Sequence, residues 1–376
     1  MIVLQSTQEQ VLAALQAVAG VVERRHTLPV LANVLIRKRG TLIEFTASDL
    51  ECQLRTRAEL GGESGSFDTT VHAGKLIDIL RALPAAQGVT LKAQGNRLSL
   101  HGGRSRFTLQ TLPAEGFPLV ADAVDLGPSF GVAEPVLQGL IDQVEFAMAV
   151  HDIRYYLNGV LFVAEGRRLR LVATDGNRLA LAETLVDAEL PQQEVILPRK
   201  AVLQLQRLLR GTARGGDAAA APVVSMRFSA AQARFEFNGI EFVTRLVDGR
   251  FPDFNRVIPK DHRHALTVAR APLLAALLRA SILTSEKFKG IRLTFEPGSL
   301  RIASSNAEQE EADEDLEVDY GGERVEIGFN VSYLVDLLSR SDAEQVQMAL
   351  RDAASTVRFS FPQRAGFQYV VSPMRL

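Results

Sequence analysis

Asn158-Gly159-Val160-Leu161-Phe162-Val163-Ala164-Glu165-Gly166-Arg167-Arg168-Leu169-Arg170-Leu171-Val172-Ala173-Thr174-Asp175 reads as a strand pair closed by a carboxylate, and its landmarks occur three times in the chain. Asn33 stands 125 residues before Asn158, and Gly290 stands 131 after Gly159. Ile43, Phe45 and Asp49 lie 126 residues before Leu169, Leu171 and Asp175, which in turn lie 131 before Leu300, Ile302 and Asn306. Ala73-Gly74-Lys75, heading a helix, matches Pro198-Arg199-Lys200 at 125, and Lys200 matches Val331 at 131. Independent landmarks that keep one spacing mark an internal repeat. An amphipathic helical stretch opens each copy, at 7–22, 134–149 and 271–283. In the first, Val11, Leu12, Leu15 and Val18 follow the 3.6-residue period that buries one face. Alternation such as Ile43/Phe45 reads as half-buried antiparallel strands.

The expected architecture is therefore α+β, with three domains at about 1–128, 129–261 and 262–376. Each runs helix, strands, helix, strands, and ends near a proline in Phe117-Pro118, Phe251-Pro252 and Ser372-Pro373. One large α+β domain with accidental internal similarity is the alternative. The Gly/Ala-rich run 211–222 reads as a loop inside the second copy.

Length and composition agree with several domains. A chain of 376 residues exceeds what one hydrophobic core commonly supports. No stretch approaches the roughly 20 apolar residues that span a bilayer, the first ten residues lack a leader-like apolar core, and the single cysteine, Cys52, excludes an intrachain disulfide. These features point to the cytoplasm. The net charge of −2 hides an asymmetry: residues 308–326 hold ten acids and one base, leaving 41 basic against 34 acidic residues elsewhere. Local distribution, rather than the total, decides what a surface attracts.

Catalytic patterns are sparse. The six histidines are scattered, and His262-x-His264 lacks a third ligand at metal-site spacing, so it reads as an exposed linker. Gly61-Gly62 and Gly102-Gly103 fit neither phosphate-loop pattern. Ser48-Asp49 and Thr174-Asp175-Gly176 read as carboxylate-capped turns. A hydrolase or nuclease using Asp49, Asp175 and His151 is the competing enzyme reading, although a nuclease gathers several carboxylates around a metal. No metal or cofactor is expected.

The best nucleic-acid signal is the helical stretch 199–210. Val202, Leu205, Leu208 and Leu209 share one side, while Arg199, Lys200, Arg207 and Arg210 occupy the other, joined by Arg214 if the helix continues, with no acid among them. Such a face can hold phosphates without reading bases. A solvated cationic face and a scaffold without a DNA role are the alternatives.

Several strings resemble motifs of the bacterial DNA polymerase III beta subunit family. They are Asp152-Ile153-Arg154-Tyr155-Tyr156-Leu157-Asn158-Gly159, Ala173-Thr174-Asp175-Gly176-Asn177-Arg178-Leu179, Leu246-Val247-Asp248-Gly249-Arg250-Phe251-Pro252-Asp253, Ile327-Gly328-Phe329-Asn330-Val331-Ser332-Tyr333 and Pro373-Met374-Arg375-Leu376. They occur in order along the whole chain. The resemblance implies a non-catalytic processivity factor: three DNA-clamp domains per chain and a head-to-tail homodimeric ring. Helices would line the hole and antiparallel sheets would form the outside, with sequence-independent contacts to duplex DNA.

It also implies DNA contacts near Arg24 and at Tyr155 and Tyr156, beside the four cations of the helical wheel. One interface strand would hold Arg104, Arg106, Phe107 and Leu109, facing Ile282, Leu283, Glu308, Glu310 and Glu314 of a second copy. A hydrophobic pocket would take short peptides from the replicative polymerase alpha subunit, the clamp loader, and other polymerases and repair proteins. Its implied walls are Leu157, Thr174, Gly176, Asn177, Arg178, Leu179, Pro252, Val257, Tyr333, Val370, Pro373, Met374, Arg375 and Leu376. Asn177 stands where the family commonly has His, Ser372 where it has Met, and Val150-His151 where it has His-Gln, departures that bear on peptide preference and on one DNA contact.

Overall fold

The computed structural model describes residues 1–22, 28–121, 123–212, 222–285 and 288–375. Arg24, Arg214, Leu376 and most of the run 211–222 lie outside them. Six α-helices stand among the described residues: α1 (Gln8–Val18), α2 (Ala73–Ala82), α3 (Glu134–Val144), α4 (Arg199–Thr212), α5 (Arg270–Ser281) and α6 (Val331–Ser339). They fall as two per repeat. The starts of α2, α4 and α6 align Ala73 with Arg199 and Val331, one residue later than the motif reading, which paired Ala73 with Pro198. Pro198 is the last residue of strand Arg178–Pro198, so the helix begins after it. Side-chain oxygens of Thr7 and Asn330 cap α1 and α6, taking the amides of Gln10 and Ser332 that the first turn leaves unbonded. The expected ends of α1 and α3 tighten into 3-10 turns at Ala19–Val21 and Glu145–Ala147.

All strand pairings are antiparallel and build sheets of twelve, six and four strands. The chain divides into two compact units, one of Met1–Leu137 with Leu203–Leu246, the other of Gln138–Val202 with Val247–Leu376. This division cuts the middle third, and the hydrogen-bond ladders explain why. Strand Ile240–Arg245 pairs with Cys52–Glu59, from Ile240 opposite Thr56 to Thr244 opposite Cys52, so it joins the twelve-stranded sheet of the first unit. Strand Arg178–Pro198 instead pairs with Phe367–Val371 in the six-stranded sheet of the second unit. That sheet also holds Gly159–Thr174, Val357–Ser360, Gln345–Leu350 and His264–Ala269, while Glu311–Glu317, Ser299–Ser305, Gly290–Glu296 and Val325–Asn330 form the four-stranded one.

His264 is not in an exposed linker as expected. It opens strand His264–Ala269, pairs with Leu350, and sets its ring edge-on to Tyr320 at 5.5 Å between centroids. No group of three or more His, Cys, Asp or Glu side chains converges among the described residues.

Candidate functional site

The tight turn at 174–178 is built by local side-chain chemistry. Asp175 Oδ1 accepts the amides of Asn177 and Arg178 at 2.9 and 3.1 Å, and Thr174 Oγ1 accepts from Gly176 while donating to the Arg178 carbonyl at 2.6 Å. Aspartate and threonine compete with the backbone in this way at turns. Asp49 does the same for Glu51 and Cys52 in the first unit, so both aspartates of the enzyme reading cap turns. Gly176 has φ +94°, and a Cβ there would lie 2.9 Å from the Arg154 guanidinium, which makes glycine the residue that fits.

A second wall comes from the 3-10 turn Tyr155–Leu157, preceded by Asp152, which takes the Arg154 amide and both edges of its guanidinium. The Arg154 hydrogen bonds hold the Asp152 carboxyl down at about 2. A third wall is Phe251-Pro252 with the 3-10 turn Phe254–Arg256, capped by Asp253. The floor is Leu157, with Leu179 directly opposite Val370 on neighbouring strands; all three are at most 2% exposed. Together these walls enclose a cavity of about 190 Å³ over an apolar cluster that includes Leu161, Val172, Leu181 and Ile196. An apolar concavity with a few fixed polar groups suits a small set of inserted side chains.

Of the walls the resemblance implies, Leu157, Thr174, Gly176, Asn177, Arg178, Leu179, Pro252, Val257 and Val370 lie together around this cavity. Tyr333, Pro373, Met374 and Arg375 are not among the lining residues. Tyr333 is held against two lining residues, with the Arg178 guanidinium over its ring at 4.6 Å and a side-chain hydrogen bond with Asn177. The tail departs because its amides find other acceptors: Ser372 donates to Asn177 at 2.8 Å, but Met374 donates to Gly328 at 2.7 Å, carrying the chain along strand Val325–Asn330. Arg154, Tyr156, Phe251, Phe254 and Ser372 line the cavity without having been assigned to it. Phe251 stood beside Pro252 in a quoted motif, and a search for apolar neighbours would have found it. Tyr156, assigned to DNA, has its half-buried ring in the cavity wall, whereas Tyr155 is 58% exposed.

Helix α4 divides as its wheel foretells. Val202, Leu205, Leu208 and Leu209 are buried, Lys200, Arg207 and Arg210 are exposed, and Arg199 is intermediate. Leu203 is also on the open side, at 38% exposure.

In the first unit, strand Ser105–Leu112 pairs along its length with Arg97–Gly102, but on its other side only Thr111 and Leu112 have partners. The backbone of 105–110 is an open edge, with Arg106 exposed and Phe107 and Leu109 half-buried. In the second unit the acidic run forms strand Glu311–Glu317, which among the described residues pairs only with Ser299–Ser305 and leaves its outer edge open. Nothing in strand propensity foretells so acidic a strand; the half-buried Ala312, Glu314 and Leu316 between exposed acids are its one signal. Ile282 is 75% exposed and Leu283 half-buried nearby in sequence. Glu314, expected to await a second copy, is already held by a two-pronged ion pair to Arg279 at 2.6 Å, and Glu310 accepts from Asn306 at 2.6 Å. Glu308 is exposed.

Comparison with known proteins finds three consecutive matches to models of the DNA polymerase III beta subunit: the N-terminal domain over residues 3–121, the central domain over 131–253, and the C-terminal domain over 255–375. The beta sliding clamp of Proteus mirabilis is 41% identical over 369 residues, covering 98% of each chain. That of Pseudomonas aeruginosa is 43% identical over 375 residues, again covering 98% of each. Among solved structures, the DNA polymerase III subunit beta of Pseudomonas aeruginosa superposes with a TM-score of 0.93 at 42% identity over 100% of both chains. A sliding clamp from the same organism bound to griselimycin gives 0.93 at 41%, also over 100% of both.

Proposed function

The chain belongs to the DNA polymerase III beta subunit family and is a replicative sliding clamp, a processivity factor and not an enzyme, and from that premise we propose how its surfaces divide the work. Its three domains, about 1–128, 129–261 and 262–376, form a homodimeric ring in the cytoplasm. No helix among the described residues is long and apolar enough to cross a membrane, which is compatible with that location. Edge strand Ser105–Leu112 of one copy adds to edge strand Glu311–Glu317 of the other.

The observation that carries this reading is the pair of open edges with opposite chemistry, one carrying Arg104 and Arg106, the other Glu311, Asp313, Asp315 and Glu317. Unpaired edges are a liability in a protein that stays alone, and charges on them deter wrong partners. Two different surfaces that meet head to tail close a ring when the rotation allows. Opposite charge sets orientation and speeds encounter, while Phe107, Ile282 and Leu283 supply apolar burial. Because Glu314 is paired to Arg279 and Asp313 to Arg301 within the chain, Glu308 and Asp315 are the better candidates to face the arginines.

The open face of α4, with Arg199, Lys200, Arg207 and Arg210, meets duplex DNA through phosphates, with Tyr155 and Arg24 as further contacts. Phosphate contacts carry no sequence information, as sliding requires. The cavity around Leu157, Leu179 and Val370 takes peptides from the replicative polymerase alpha subunit, the clamp loader and other partners. A griselimycin-bound relative of the same fold supports a ligand site on this scaffold.

Retention on DNA is expected to be topological. After loading by the clamp loader, the protein should stay on nicked circular DNA through moderate salt and run off once the circle is cut, followed by gel filtration of the labelled clamp. Lys200→Ala and Arg207→Ala should each flatten the salt dependence of direct DNA binding by about one unit of logarithmic slope. Equal retention on linear DNA with free ends would overturn encirclement.

A further inference from the structure

We propose that Asp336, which lies on α6 outside the cavity, is a positioning residue for peptide binding because it holds Arg178, and through Arg178 the 174–178 turn, in the shape that forms the cavity wall. This rests on the reading of the cavity as the peptide site. Arg178 is placed where a long cation would ordinarily reach for solvent or ligand, yet its side chain is only 11% exposed. Its donors are taken up by acceptors of the protein itself. Nε donates to Asp175 Oδ2 at 3.0 Å, one terminal nitrogen to Asp336 Oδ2 at 2.6 Å, and the other to the Phe146 carbonyl at 2.7 Å. The guanidinium also lies 4.6 Å from the Tyr333 ring centroid and 5.7 Å from that of Phe146.

Each acceptor contributes differently. Asp175 belongs to the turn itself, since its other oxygen caps the amides of Asn177 and Arg178. Phe146 offers a neutral carbonyl. Among the described residues Asp336 is the acid that reaches Arg178 from a different element, and at 39% side-chain exposure it stands at the rim of the network, where a substitution leaves no hole in the core. Behind them Tyr369 is fully buried and donates to the Tyr333 carbonyl at 3.0 Å; burial pushes its phenol up, so it stays neutral and supplies no charge to replace Asp336.

A charge-assisted bond at a mostly buried guanidinium cannot be removed without consequence, because the freed N–H seeks another acceptor. Without Asp336 the guanidinium shifts toward its remaining partners, Asp175, the Phe146 carbonyl and Tyr369, and through Asp175 it displaces Thr174, Gly176 and Asn177 together. A peptide site built on a turn depends on that registration, and displacement of the wall should lower affinity without any lining residue having been altered.

Fluorescence anisotropy with a fluorescein-labelled peptide from the tail of the polymerase alpha subunit, on the full-length dimer, tests this. Asp336→Ala should weaken binding about tenfold, with dimer mass unchanged. Asp336→Asn, which keeps an acceptor oxygen, should recover most of the loss, a rescue that a general softening of α6 would not show. Arg178→Ala combined with Asp336→Ala should bind no more weakly than Arg178→Ala alone, since both break one link. Wild-type affinity for Asp336→Ala, or additive losses in the double variant, overturns the proposal. Ser372→Trp, which fills the cavity directly, separates the two levels: if it too leaves affinity unchanged, the peptide-site reading itself fails, and if it alone abolishes binding, only the role of Asp336 does.

Discussion

Phe107→Ala combined with Leu283→Ala converts the dimer to monomers at micromolar concentration. In the proposed ring each copy contributes both surfaces, so the double variant truncates four apolar side chains across two interfaces. At roughly 1.5 kcal/mol for each, the lower end for burying such a side chain, the loss is about 6 kcal/mol, or about four orders of magnitude in dissociation constant. Both side chains are half-buried in the single chain, so part of each already packs against its own unit and the single-chain fold should survive. The open edges 105–110 and Glu311–Glu317 then remain as backbone surfaces without their apolar cover. Light scattering gives the mass, and far-ultraviolet circular dichroism shows whether the sheets persist. A folded variant that is still a dimer would mean that these are not the closing surfaces.

The second large effect belongs to the cavity. Ser372 lines it at the end of strand Phe367–Val371, where its amide is tied to the Asn177 carbonyl at 2.8 Å. Tryptophan at this position brings a large apolar ring to a space of about 190 Å³ floored by Leu157, Leu179 and Val370. Peptide recognition concentrates in a few buried side chains worth about 2 kcal/mol or more each, so excluding two of them should cost about 4 kcal/mol, close to a thousandfold in affinity. Met374→Ala should do far less, below tenfold, because Met374 is not among the lining residues and its amide is bonded to Gly328 instead. Anisotropy of a labelled polymerase-tail peptide ranks the two variants. A Met374→Ala variant that binds as poorly as Ser372→Trp would put Met374 back in the wall.

Local chemistry made the turns and helix faces readable. Asp49 and Asp175 cap their turns through amides two and three residues away, so residue type and spacing were enough. The wheel of α4 separated Val202, Leu205, Leu208 and Leu209 from Lys200, Arg207 and Arg210 because a helix maps sequence directly onto a face. Most of the cavity was legible for a related reason: Leu157, the 174–179 string and Pro252 sit in short motifs that fold as units. That Tyr156 is the half-buried one of two neighbouring tyrosines was not legible, because residues adjacent in a 3-10 turn point differently and only packing decides which is covered.

The amino-acid order determined by itself the threefold repeat, the helix starts within a residue, the capped turns and the basic face, since each depends on residues within a few positions of one another or on their period. Tertiary structure alone decided which strands from the middle third join Cys52–Glu59 and which join Phe367–Val371, that an acidic run forms an edge strand, that Glu314 is consumed by Arg279, and that Asp336 reaches Arg178. The physical reason is common to all four. Strand amides, edge carbonyls and buried cations take whatever partner the fold brings within about 3 Å; the acidic strand finds its partner in the neighbouring hairpin strand Ser299–Ser305, and in the other three cases the partner lies tens to hundreds of residues away.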